Sequence, residues 1–289
     1  VNQVSPLRSA GDAPQAGRQR WPIAAAGVAV LGLVAALTLQ IFTSPTASFL
    51  AVQRVTAGIP DGAWWFMTLL GDTSLLFALG SPLLRSHPQA VAACLAAIPV
   101  GGLLSVTLKA AFDAVRPAGV LDLSLIHIVG PVLQQHSFPS GHTITAFAAA
   151  TALAASGWAG RGTIASRWAN GALYVGASLV GVSRVAVGAH WPVDILAGAC
   201  VGALAGYVGA YASVRYARFW NGNRGRLALA IGLQVPALWL LTHLKDYQPY
   251  SSLAWAAIAC CGYTLVRTVE RWRDNHQRNT KPPDSATPQ

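Results

Sequence analysis

The amino-acid sequence predicts an all-α fold, a polytopic bundle of transmembrane helices, and three observations predict it. Apolar residues make up 53% of the 289-residue chain and charged residues only 10%, against about 25% charged in a soluble domain. The apolar residues fall in successive runs, several of them near the roughly 20 residues that cross a bilayer. Most Lys and Arg flank these runs rather than interrupt them, as the positive-inside rule requires of a membrane protein.

Residues 1–20 mix Pro, Gly, Gln and Arg with no apolar period and are expected to form a disordered basic tail. Residues 21–42 are long enough to span. No A-x-A-like cleavage site follows closely, so this run is expected to be a retained helix rather than a removed signal peptide. Residues 45–62, with Arg54 and Asp61, are expected along the surface. The second span, 63–84, opens with Trp64-Trp65 and carries Asp72. An acid there costs about 2.5–3.5 kcal/mol on insertion scales and needs a partner. That partner lies either near an active site or on a neighbouring helix.

The third span is 90–112, followed by a long polar loop, 113–139. The fourth, fifth and sixth spans are 142–156, 170–187 and 191–211. Two further apolar runs, 227–241 and 252–266, lie in a segment, 212–266, expected to add a C-terminal helix pair. Residues 267–289 are charged, then rich in Pro, and are expected to be disordered. With eight crossings and a cytoplasmic N-terminus, fifteen of the twenty Lys and Arg fall on the cytoplasmic side. The exceptions are Arg54, Lys109, Arg116, Arg184 and Lys245.

The net charge of +10 does not indicate nucleic acid, because no basic stripe interleaved with aromatics is present. Cys94, Cys200, Cys260 and Cys261 all sit in apolar runs, which argues against a disulfide framework or a CxxC metal site.

The most concentrated polar chemistry is the stretch 183–194, SRVAVGAHWPVD, set between two apolar segments. Ionisable groups in such a place are usually functional. Pro192 suits the first helical position, where no N–H is needed. His190 and Asp194 then stand four apart on one face, so the carboxylate can bond one imidazole nitrogen and leave the other free. Such a histidine is a nucleophile, a base or a metal ligand; the alternative is a capping histidine paired for structure.

The expected topology brings the end of span three, the start of span four and the junction of spans five and six to one non-cytoplasmic face. Lys109, Arg116, Ser140, Gly141, His142, Arg184, His190 and Asp194 can therefore converge. Three cations beside two histidines need an anion, and phosphate fits: arginine forks match its oxygens and lysine adds a point charge. Gly141 permits close backbone approach, and the N-terminus of span four offers free N–H groups. His190, backed by Asp194, is expected to attack phosphorus, and His142 to protonate the leaving oxygen and then activate water. No acidic cluster for a two-metal site accompanies them, so no metal or other cofactor is expected. Asp113 and Asp122 are read as solvated loop acids.

Lys109-x6-Arg116-Pro117, then Pro139-Ser140-Gly141-His142, then Ser183-Arg184-x5-His190-x3-Asp194 resembles the three-part signature of the type 2 phosphatidic acid phosphatase (PAP2) superfamily. That family includes membrane lipid phosphatases, undecaprenyl pyrophosphate phosphatases, glucose-6-phosphatase and soluble vanadium haloperoxidases. The resemblance covers about residues 63–211. It implies a six-helix PAP2 core over 21–211, with the C-terminal pair as an addition. It also implies His190 as nucleophile, Asp194 as its partner, His142 as acid, and Lys109, Arg116, Ser140, Gly141 and Arg184 as phosphate binders. His127 and His136 match no part of the signature and are expected near the substrate entrance.

The expected function is metal-independent hydrolysis of a lipid phosphate monoester or pyrophosphate. Undecaprenyl pyrophosphate, phosphatidylglycerol phosphate, phosphatidic acid and lipid A phosphates all suit such a site. The alternatives are a lipid-to-lipid phosphotransferase using the same intermediate and a non-catalytic lipid-phosphate binding protein. A haloperoxidase is disfavoured because those relatives are soluble. The expected partners are the lipid substrate and the bilayer. The expected location is a bacterial inner membrane, with the active site facing the periplasm or exterior.

Overall fold

Proline sets several of the helix starts. Pro45, Pro88, Pro117 and Pro192 each occupy the first turn of a helix, where the missing N–H has no intrahelical use and the fixed φ suits the turn. Helix ends are set by left-handed residues: Asp113, at φ 36°, closes one long helix and Gly157, at φ 76°, another. The computed structural model describes residues 44–280 and the single position Thr38. The expected basic tail and first span, 1–42, thus lie outside the described residues apart from Thr38.

The elements are α1 (Pro45–Thr56), α2 (Asp61–Leu69), α3 (Thr73–Gly80) with a 3-10 turn (Ser81–Arg85), α4 (Pro88–Phe112), the short α5 (Pro117–Val120), α6 (Gly141–Ser156), α7 (Ile164–Ala186) and α8 (Pro192–Arg215). Then come α9 (Ala217–Asn221), α10 (Asn223–Gly232), α11 (Gln234–Thr242), a 3-10 turn (Leu244–Tyr247) and α12 (Ser251–Thr280). No strand occurs among the described residues. The fold is all-α, as expected.

Four stretches are long and apolar enough to cross a membrane: Pro88–Val120, Pro192–Arg215, Asn223–Thr242 and Ser251–Gln277. The bent pair Asp61–Leu69 and Thr73–Arg85 makes a fifth if it is one span. Their outer faces are apolar, with Leu103 and Val106 of α4 exposed to 69% and 68%. Soluble monomers rarely leave such patches bare, so these faces suit lipid.

The small helix α6 is the hub. It packs on α4, α7 and most extensively on α8, and Thr143, Ile144, Ala146, Ala148 and Ala150 are buried. Close packing depends on Gly198, Gly202 and Gly206 of α8, spaced four apart. A Cβ at Gly202 would stand 2.5 Å from Ile144 O and one at Gly206 would meet Ala148 O. Backbones approach this closely only over small residues.

Several details differ from the sequence expectation. The expected fourth and fifth spans are α6 and α7, which are not among the four candidate spans. With only 16 residues, α6 is short, and its enclosure by protein removes the need for a lipid-facing apolar surface. The second apolar run is not one straight helix but bends by 72° between α2 and α3. Asp72 is extended at the break, and its carboxylate accepts from Leu75 N at 2.9 Å as the cap of α3. The same Oδ1 accepts from Tyr247 Oη at 3.0 Å, which supplies the partner the acid needs. Finally, α12 continues past Arg267 to Thr280, where a disordered tail was expected. An Arg267–Glu270 ion pair at 2.7 Å and an Asn275–Asn223 bond at 3.1 Å accompany that extension.

Candidate active site

One end of the bundle gathers the C-termini of α4 and α7, the N-termini of α6 and α8, and the loop 113–139. The loop is fastened by its own backbone, with Arg116 N donating to Gln134 O and Ser137 N to Ala114 O, both at 2.8 Å. From the other side, the buried Gln53 of α1 holds it. Its amide donates to His127 O at 2.6 Å and accepts from His127 N at 3.0 Å, while also reaching Val185 O at 3.4 Å. Trp191 Nε1 donates to Val115 O at 2.8 Å. The loop is thus fixed to both helices that carry the 183–194 stretch.

Within this frame, His190 and Asp194 are 2% and 1% exposed. The Asp194 oxygen Oδ2 accepts from Trp191 N at 2.9 Å, from Ser137 Oγ, and lies 3.3 Å from His190 Nδ1. The opposite ring nitrogen, Nε2, lies 3.2 Å from Arg116 Nη1. A guanidinium can only donate, so Nε2 carries the lone pair and Nδ1 the proton that faces Asp194. Burial first, then the charges of Arg116, Arg184 and Lys109, hold the His190 imidazole well below its ordinary value of 6.5. The ring is neutral at neutral pH.

Two of the three cations are held by backbone carbonyls. Arg116 Nε donates to Gln135 O at 2.8 Å and Nη1 to Ala189 O at 2.9 Å, while Lys109 Nζ donates to His136 O at 2.7 Å. Arg184 is buried in the last turn of α7, and its Nε has no hydrogen-bond partner. Such a donor is costly unless something accepts from it. Lys109, Arg116 and Arg184 act electrostatically on one another and on both histidines, so the expected cluster converges.

Ser140 caps α6, donates its N–H to Asp194 O at 3.1 Å and accepts from Thr143 Oγ1 at 3.0 Å. This leaves its own O–H able to donate. The first intrahelical bond is Ile144 N to Ser140 O, so the N–H groups of Gly141, His142 and Thr143 stay off the ladder. A Cβ at Gly141 would meet nothing within 4 Å, and the glycine keeps this approach open. His142 and Gly141 border a cavity of about 260 Å³ between α3, α4 and α6, with Phe77, Ile98 and Gly102 in its wall. A second cavity of about 450 Å³, walled by Phe112, Val115, Val120, Phe138 and Trp191, reaches Asp194.

All eight expected site residues therefore sit at one end of the bundle. His127 and His136 do not join them; they pair instead with Asp61 at 2.7 Å and Asp113 at 3.2 Å on the exposed rim. Asp122 accepts from Ser124 N and Oγ in a local turn that holds its carboxyl below the usual range. Sequence reasoning missed Ser137, Gln53 and Gly71. Only Gln53, a lone amide four residues after Phe49 in α1, left a trace in the pattern. No group of three or more His, Cys, Asp or Glu among the described residues could hold a metal ion.

Residues 90–218 match the family model of the PAP2 superfamily. A lipid A 1-phosphatase of Porphyromonas gingivalis is 36% identical over 114 residues, 39% of this chain and 21% of that protein. The match thus spans about a fifth of that curated relative's length. Among solved structures, Aquifex aeolicus LpxE is similar at 29% identity with a TM-score of 0.46, over 58% of this chain and 94% of that one. The first transmembrane PAP2 type phosphatidylglycerolphosphate phosphatase from Bacillus subtilis is similar at 22% identity and a TM-score of 0.48, over 67% and 96%. The segment that matches the PAP2 superfamily model contains every one of the eight converging residues.

Proposed function

We propose that the protein is a membrane lipid phosphatase that hydrolyses a phosphate monoester or pyrophosphate of a lipid through a phosphohistidine on His190. The observation that carries this reading is a buried, neutral His190, oriented by Asp194 and ringed by three cations, one with an unpartnered buried donor. The His190 Nε2 lone pair attacks phosphorus as the bond to the lipid oxygen breaks. With the phosphate anion bound beside it, His142 takes up a proton and, as imidazolium, gives it to that oxygen. Water then loses a proton to His142 and attacks the phosphohistidine, releasing phosphate and restoring His190. Arg116, Arg184 and Lys109, with Ser140 and the free N–H groups of α6, hold the equatorial oxygens.

Metal independence is supported by the donor set, because the charge-stabilising role falls to these cations. The two apolar-walled cavities beside the site suit an amphiphile whose headgroup is cleaved at the membrane surface. The charge asymmetry supports a cytoplasmic N-terminus and a site facing the periplasm or exterior of a bacterial inner membrane.

The decisive assay is phosphate release by the purified protein in detergent with EDTA. The lipid panel begins with lipid A 1-phosphate, the bond class named for the P. gingivalis relative, and includes phosphatidylglycerol phosphate, phosphatidic acid and undecaprenyl pyrophosphate. Release that persists in EDTA and falls to background in His190→Ala is expected. No release from any lipid by folded wild-type protein contradicts the reading, and phosphoryl appearing on a second lipid turns it to phosphotransfer.

A further inference from the structure

The C-terminal helices lie outside the segment matched to the family, yet the turn between α11 and α12 meets the α2–α3 break beside the site. Tyr247, in that turn, donates to Asp72 Oδ1 at 3.0 Å, and Trp65 Nε1 donates to Gln248 O at 3.3 Å. Tyr250 Oη donates to Gly62 O at 2.9 Å. Three contacts therefore clamp α2 and the start of α3 against one short turn.

On its other side the break touches the catalytic helix. Thr73 Oγ1 and Thr145 Oγ1 are 2.7 Å apart. A Cβ on Gly71 would stand 2.9 Å from His142 Cβ and 3.2 Å from His142 O, so the Gly71 backbone lies directly against the histidine. Asp72 and His142 also border the same cavity of about 260 Å³. Among the described residues no hydrogen bond to the His142 ring occurs, which leaves packing to set its direction.

We propose that Tyr247 and Asp72 are positioning residues for the general acid, acting through Gly71 to hold His142. The Tyr247 phenol suits this role, because burial and then the Asp72 charge raise its pKa and keep it a donor. The extra helix pair thereby gains a role in catalysis that its distance in sequence conceals. This inference rests on the assignment of His142 as acid in the phosphatase reading.

Full-length Tyr247→Phe and wild type are compared on two soluble substrates, an alkyl phosphate and p-nitrophenyl phosphate. The alkoxide leaving group needs a proton; the nitrophenolate does not. Tyr247→Phe is expected to lower kcat on the alkyl phosphate about tenfold, a part of the 10²–10⁴ that a placed general acid supplies. KM and the rate of p-nitrophenolate release in the first turnover, which needs no proton from His142, are expected to hold. Asp72→Asn keeps an oxygen that accepts from both Tyr247 and Leu75 N and is expected to retain activity, whereas Asp72→Ala follows Tyr247→Phe.

An equal loss of the first-turnover rate on both substrates, or a loss on neither, overturns the proposal. A readout independent of turnover is the NMR signal of labelled histidine rings. In Tyr247→Phe the His142 resonance is expected to move while His190 stays, and an unmoved His142 overturns the positioning role. Absent turnover in wild type defeats the phosphatase reading instead, and the resonances still decide whether Tyr247 positions His142.

Discussion

A single carboxylate oxygen organises His190, the proposed nucleophile. Asp194 Oδ2 takes the Trp191 N–H and the Ser137 hydroxyl and faces His190 Nδ1, so the aspartate is anchored by two donors outside the pair. The His190–Asp194 relation was legible because a four-residue spacing after a helix-starting proline leaves little choice of geometry. Ser137 was not, because its role depends on how the loop folds back rather than on spacing. The neutrality of His190 has a pH consequence. Its depressed pKa places the acid limb of kcat/KM below 6.5, the ordinary histidine value, with activity falling as pH falls and the ring takes up a proton. The sign for stability is the same: the unfolded chain binds that proton more readily, so stability is lost as pH drops below the unfolded value. A pH–rate profile checks this, and an acid limb at or above 6.5 contradicts it.

At the scale of elements, the bundle is held where α8 offers glycine to α6. Gly206→Leu forces a side chain into the Ala148 carbonyl and Ala152 N, and overpacking of this kind costs about 1–3 kcal/mol. The thermal midpoint in detergent is expected to drop, whereas Gly102→Leu, with nothing within 4 Å of its Cβ, is expected to leave it unchanged. The start of α8 was legible from Pro192, and the 90–112 span matches α4 within two residues of its start. The bend between α2 and α3 was not. Gly71 and Asp72 sit in an apolar run whose period gives no break, and the bend is settled by contacts from His142 and Tyr247, far away in sequence. The helical stretch after Arg267 was hidden for another reason: its charged composition reads as solvated tail, while ion pairing and contacts with Asn223 accompany a helix there.

For the whole molecule, the order of the apolar runs was enough to expect the site residues together, and in the structure they meet at one end of the bundle although α6 and α7 are not among the candidate spans. Lys109, Arg116, His142, Arg184, His190 and Asp194 span 86 positions of the sequence and meet at one end. What the linear pattern could not supply was the way α1, the 113–139 loop and the C-terminal turn brace that end, since each acts through backbone carbonyls and single polar side chains. The central claim is that phosphoryl passes through His190, and trapping the intermediate tests it most directly. In His142→Ala, a substrate with an activated leaving group can still phosphorylate His190, but water is no longer activated for the second step. Incubation of that variant with p-nitrophenyl phosphate, an alkaline quench and peptide mass spectrometry is expected to find a phosphoryl group on His190. Turnover of that substrate with no phosphoryl on His190, or with the group on another residue, would contradict the account.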